Sequence, residues 1–174
     1  MVGLEDPRPP YLKKWPILAN LSDNAVTEPA QVIGLGELLW DCFPDRRRPG
    51  GAPANVAFHA QQLGLSAAVA SRVGQDDLGK EIGEFLVSQG LSTQLIQVDS
   101  HRQTGTVTIS PVTNVEVNYH FLENSAWDFL TLNPALQDAV ASAQAICFGT
   151  LAQRRPTTRH TIHNCLMKAP RSCL

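Results

Sequence analysis

Three kinds of residue lie close together in this sequence in a pattern suited to gripping hydroxyl groups. They are a carboxylate at Asp41, two bare glycines at Gly50 and Gly51, and a side-chain amide at Asn55. A carboxylate can accept two hydroxyl hydrogen bonds, and an amide both donates and accepts. Glycine has no Cβ, so a ligand can come close to the main chain there. Pro53 suits the first turn of a helix, and a helix start presents unpaired amide N–H groups. Such a set reads a polyol without reacting with it. The plainer alternative is a glycine turn ahead of an ordinary core helix, with Val56, Ala60 and Leu63 as its inward stripe.

Other residues offer less. Gly34 and Gly36 follow an apolar run, but the third glycine of a dinucleotide fingerprint would fall at position 39, which is Leu39. His160 and His163 are three apart on an expected helix with no third ligand in view, so no metal site is expected. No Ser-His-Asp or Cys-His arrangement stands out. Arg46, Arg47 and Arg48 form the only basic run, read as a solvated loop that could exert a small pull on an anionic substrate.

The elements that must position these residues alternate. Gln31–Gly36 reads as a short apolar strand, 53–63 as a helix and Ala67–Val73 as a strand. Asp76 is a credible N-cap for a helix through Gln89, with Leu78, Ile82, Phe85 and Leu86 on one face and Gly90 as its stop. A strand over Thr93–Val98 follows. Later come a helix from Asn133-Pro134 to about Ala143, a strand over Ala145–Gly149 and a helix over Pro156–Lys168. This order argues for an α/β fold, a doubly wound and mostly parallel sheet with helices on both faces. In such sheets ligands collect at the carboxyl ends of the strands, which would bring Asp41 and the Gly50-Gly51 turn to one pocket. Residues 104–121 break the order. Val107 and Ile109 alternate with threonines, and Val115, Val117, Tyr119 and Phe121 alternate with polar residues across a Pro111–Asn114 turn. That is an antiparallel hairpin with one apolar face, which needs a site, a partner subunit or its own domain to cover it.

The string Pro49-Gly-Gly-Ala-Pro-Ala-Asn-Val-Ala-Phe58 resembles the Gly-Gly-x-x-x-Asn-x-Ala signature of the ribokinase-like (PfkB-type) sugar kinases, most closely their fructokinase branch. Val73-Gly-Gln-Asp-Asp-Leu-Gly79 and Leu122-Glu-Asn-Ser-Ala-Trp127 are similar to further family sequence. The resemblance covers about residues 31–170. It implies ATP-dependent phosphorylation of a sugar, fructose first, with a small antiparallel β lid that in some members also makes a dimer contact. It implies that Asp41, Gly50, Gly51 and Asn55 hold the substrate, with Glu37, Phe121 and Glu123 as second-rank pocket candidates. Ribose, 2-keto-3-deoxygluconate or a nucleoside are the alternative substrates within the family.

The family's Gly-Ala-Gly-Asp signature, which supplies the anion hole and catalytic base, does not occur here, nor does a Walker-type loop. The resemblance therefore implies that ATP, Mg²⁺ and the base belong to sequence beyond Leu174. It implies a fold incomplete at its C-terminal side and a chain that is inactive alone. An uncovered strand edge and apolar face lead to a further expectation, that the isolated chain is unstable or aggregates. The rival reading is a non-catalytic sugar-binding or dimerisation module.

At 174 residues, 43% hydrophobic and 17% charged, the chain has the composition of a globular domain with a sizeable core. Residues 1–30 read as a tail without an assigned role, and 31–174 as the sugar-binding and lid portion. A net charge of −2 offers no general attraction to nucleic acid or anionic lipid. No stretch is apolar enough to cross a bilayer. Four scattered cysteines without a Cys-x-x-Cys pair fit a cytoplasmic protein.

Overall fold

The computed structural model describes residues 30–111 and 117–170. Residues 1–29 of the expected tail, the hairpin residues 112–116 and the last four residues lie outside the described ones. Eight strands run in chain order: β1 Val32–Leu35, β2 Leu39–Cys42, β3 Arg47–Gly50, β4 Ala67–Gly74, β5 Ile96–Asp99, β6 Gly105–Pro111, β7 Val117–Phe121 and β8 Ala145–Phe148. Four helices accompany them: α1 Ala52–Gln62, α2 Asp77–Ser88, α3 Pro134–Ser142 and α4 Pro156–Lys168. Two 3₁₀ turns, Ala126–Phe129 and Leu151–Arg154, had no counterpart in the sequence reading.

The core sheet is parallel throughout, in the order β5-β4-β1-β8. Alternate residues of β1 serve its two faces. Ile33 and Leu35 pack with Trp127, Leu130, Leu136 and Ile162 under α3 and α4. Val32 joins the opposite layer, where Val69, Val73, Ile82 and Leu86 meet α1 and α2. Helices on both faces are what the alternating sequence implied. Asp76 caps α2 as expected, its Oδ1 accepting from the Gly79 amide at 2.8 Å. The strand expected over Thr93–Val98 forms later, at Ile96–Asp99.

The expected inward stripe of α1 is corrected. Pro53, Ala54, Ala57 and Ala60 face the sheet, while Val56 is 42% and Leu63 83% exposed. The cause is proximity. A Cβ on Gly34 of β1 would strike the Pro53 carbonyl and come within 3.2 Å of Ala57 Cβ. A helix this close to its sheet has room for alanines and none for valine or leucine.

The expected hairpin is present as β6 and β7, paired antiparallel from Val107–Phe121 to Pro111–Val117. It is half of a larger lid. β2 runs parallel to β6, and β3 antiparallel to β2, giving a four-stranded mixed sheet in the order β3-β2-β6-β7. The arginine run is thus partly strand: Arg47 and Arg48 belong to β3. Lid and core are joined at the base. Trp40 Nε1 donates to the Leu78 carbonyl at 3.0 Å, and Thr104, just before β6, donates its amide to Asp76 Oδ2 at 2.8 Å. Where β7 returns, Arg154 forms two 2.7 Å bonds to the fully buried Asp128 and donates to the Leu122 carbonyl at 2.6 Å. Among the described residues, no helix is long and apolar enough to cross a membrane.

Candidate functional site

Asp41 reaches the site by a route that the sequence reading missed. It sits on lid strand β2 rather than at the carboxyl end of the core strand. The chain leaves β1 at Leu35, turns at Gly36 and enters the lid. Opposite Asp41 across the antiparallel pair stands Arg48, and opposite Leu39 stands Gly50. The Asp41 carboxylate lies over Gly50: a Cβ there would come within 2.5 Å of Oδ2. Gly51 follows with φ +114°, and a Cβ on it would overlap the Glu37 carbonyl. Both contact and conformation restrict this bend to glycine.

The bend is the N-cap of α1, and Asn55 lies one turn into that helix, its main-chain N–H donating to the Gly51 carbonyl at 2.9 Å. Asp41, Gly50 and Asn55 line one pocket of about 370 Å³. The two residues therefore border one space, large enough for a small polyol. Burial pushes the Asp41 carboxyl above its ordinary pKa, and the Arg48 guanidinium opposes that rise.

The pocket also takes in residues that were not assigned to it from sequence. Phe58 and His59 line it from α1, Phe85 from α2, and Leu38 from the segment before β2. Phe58 and His59 stand three and four residues after Asn55, so helical spacing alone places them beside it. Phe85 comes from another element, and no local signal indicates it. Phe58 and Phe85 stack with ring centroids 6.3 Å apart, forming an apolar wall.

The second-rank candidates sit elsewhere, and none lines this pocket. Glu37 is 4% exposed and bonded to the Ala152 amide at 3.1 Å. Burial raises its pKa, opposed by the amides of Glu37, Ala152 and Ala52. Glu123 is exposed and ion-paired with Arg155 at 3.6 Å. Phe121 is on the lid, stacked with Tyr119 at 6.4 Å. Strand register puts Arg48, Asp41, Val107 and Phe121 in one row across four strands, so all four belong to the same lid face.

Residues 28–167 match the pfkB family carbohydrate kinase profile. The chain belongs to the pfkB family of carbohydrate kinases. An uncharacterized sugar kinase of Pyrococcus horikoshii is 30% identical over 154 residues, which are 82% of this chain and 49% of that protein. Its crystal structure matches with a TM-score of 0.75 at 27% identity over 82% of this chain and 53% of that one, and it has also been crystallised with ATP. Fructokinase-2 of Oryza sativa subsp. japonica is 29% identical over 172 residues, 89% of this chain and 51% of that protein. The fructokinase of Halothermothrix orenii matches with a TM-score of 0.72 at 26% identity, over 80% of this chain and 53% of its own. This pfkB chain thus spans about half the length of the curated relatives it matches, and it has their ribokinase-like fold.

Proposed function

We propose that this pfkB chain is the sugar-holding part of a kinase that transfers the γ-phosphoryl group of ATP to a sugar hydroxyl, with fructose the first candidate. The observation that carries the reading is the convergence of Asp41 and Asn55 on one pocket above the Gly50–Gly51 bend. In this reading Asp41 accepts hydrogen bonds from two sugar hydroxyls and Asn55 donates and accepts one each. The bend lets the ring approach the main chain, and the lid face carrying Asp41 excludes water. Fixing the hydroxyl in place lowers the entropic cost of transfer.

The sequence carries neither the family's Gly-Ala-Gly-Asp signature nor a Walker-type loop. Among the described residues no three His, Cys, Asp or Glu side chains gather where a metal ion could be held. No residue of this chain is assigned to ATP, to Mg²⁺ or to the base, and no step is routed through them. In this reading those groups, and activity itself, need sequence that these 174 residues do not contain. The relatives' fructokinase names and the ATP-bound neighbour support the choice of substrate and donor.

Titration calorimetry with fructose tests the proposal. The chain binds fructose, and Asn55→Ala or Asp41→Ala removes binding while leaving the fold intact by circular dichroism. Fructose affinity unchanged in both variants contradicts it.

One observation favours an additional role as a homodimer through the lid. Val117, Tyr119 and Phe121 are 45%, 59% and 37% exposed at alternate positions of β7, on the lid face that also carries Asp41. A second copy would cover them. Sedimentation velocity of a Val117→Ser/Tyr119→Ser variant tests this: a dimer that dissociates supports it, and an unchanged sedimentation coefficient opposes it. The free Cys42, Cys147 and Cys165 fit a reducing, cytoplasmic setting.

A further inference from the structure

We propose that Glu37 is a positioning residue of the sugar site: its enclosed carboxylate joins the turn after β8 to the start of α1, and so sets where the Gly50–Gly51 bend and Asn55 stand. The inference rests on the reading of the Asp41–Asn55 pocket as a sugar site.

Glu37 lies where the chain passes from the core sheet to the lid, and it grips both neighbouring segments. Its Oε2 accepts from the Ala152 amide at 3.1 Å, at the start of the 3₁₀ turn after β8. The carboxylate lies against Gly149, where any Cβ would overlap Oε2. Only an absent side chain leaves room for it there. The Ala52 amide, first in α1, also faces the carboxylate. The helix needs such a group, because its N-cap is Gly51 and makes no side-chain capping bond. Meanwhile the Glu37 carbonyl presses on Gly51 from the main chain. One residue therefore touches the bend with its backbone and the helix start with its side chain.

The path to the pocket is short. The main-chain N–H of Asn55 donates to the Gly51 carbonyl, so a shift of the bend carries the residue with it. The charge state matters because the carboxylate accepts from main-chain N–H groups and has no proton to offer them. A glutamine of the same shape has one accepting oxygen, and its NH₂ would oppose an amide N–H. Glu37→Gln therefore weakens this grip without opening a cavity. Gly149→Ala reaches the same end from outside, by pushing the carboxylate out of its niche.

Fructose affinity of the full chain, measured by calorimetry well below the thermal midpoint, tests the inference. Glu37→Gln and Gly149→Ala each weaken binding by about tenfold, the lower end of what supporting residues around a ligand site supply. Leu136→Ala, which loosens the opposite face of the sheet, is the control for lost stability and binds as wild type. Glu37→Gln and Gly149→Ala binding as tightly as wild type, beside an Asn55→Ala chain that has lost fructose, overturn this inference alone. A wild-type chain that does not bind fructose, or an Asn55→Ala chain that binds it normally, overturns the sugar reading and this inference with it. A Leu136→Ala chain that loses as much affinity as Glu37→Gln also overturns it, since the effect is then general loosening.

Discussion

Two four-stranded sheets make up this chain, and they are covered in different ways. The core sheet has helices on both faces, so Ile33, Leu35, Val69 and Val73 are almost wholly removed from water. The lid sheet carries Arg48, Asp41, Val107 and Phe121 in a single row, from exposed arginine through buried valine to a partly exposed aromatic ring. The core therefore supplies the folding free energy, and the lid supplies side chains with unused contact capacity. Of the two residues proposed to hold the sugar, Asp41 is on the lid and Asn55 is on a core helix, and both line one pocket. Under the sugar-site proposal, recognition depends on the seam between the sheets.

The seam breaks most severely at Asp128. Its carboxylate is fully buried and takes both bonds from Arg154 at the root of β7. Asp128→Ala leaves that guanidinium without its partner, and removing one half of a buried pair costs about 3 kcal/mol or more. Urea denaturation should show this as a lower midpoint with little change in slope. A loss below about 1 kcal/mol would mean that lid and core are not tied there.

A smaller effect is expected at the other root. Asp76 caps α2 and also accepts from the Thr104 amide and hydroxyl ahead of β6. Asp76→Ala removes a helix cap, worth about 1 kcal/mol, together with the anchor of the strand. Hydrogen exchange should then quicken at the first turn of α2 and at Thr104–Val107 together. Faster exchange in α2 alone would show that Asp76 serves the helix and not the lid.

Some of this arrangement could be read from residue order, and some could not. Asp76 was identifiable because a cap is local: the acceptor and the amide it meets lie three residues apart. Gly50 and Asn55, which line one pocket, could be expected together because they lie five residues apart across a helix start. The lid strands β2 and β3 were not, since Arg47-Arg48-Pro49-Gly50 has little intrinsic strand character. That segment is a strand because β2, held on its other side by β6, offers it an edge, which depends on tertiary placement. The alanine face of α1 was misread for a related reason. Periodicity marks the more hydrophobic stripe, whereas the distance between helix and sheet, set at Gly34, selects the smaller residues.

Acid titration sharpens the comparison on the core side. Burial pushes the Asp99 carboxyl up, but the His101 amide, Arg72 and Arg102 outweigh it and hold the pKa below the ordinary 3.8. A depressed folded pKa contributes stability that is present above pH 3.8 and lost as pH falls through the folded value. Asp99→Asn should therefore be less stable than wild type at pH 6, and the gap should close as pH falls below 3.8. Glu37 and Asp41 at the seam have the opposite sign. Their raised values give stability that is complete below their ordinary pKa and lost as pH rises through the folded ones. Parallel stability curves for wild type and Asp99→Asn across that range would contradict the assignment.

The smallest stability effect belongs to the open lid face. Tyr119→Ser should change the unfolding free energy by no more than about 0.5 kcal/mol, as surface substitutions do. A loss of several kcal/mol would show that Tyr119 is packed in solution and that the lid face is not free.

The claim that Asp41, the Gly50–Gly51 bend and Asn55 act on one sugar is tested most directly by a nuclear magnetic resonance titration with fructose. The account predicts that the Gly50 and Gly51 amides and the Asn55 side-chain amide shift together, along one saturation curve with a single dissociation constant. Saturable shifts that leave all three unmoved, or that move them with separate constants, would contradict it.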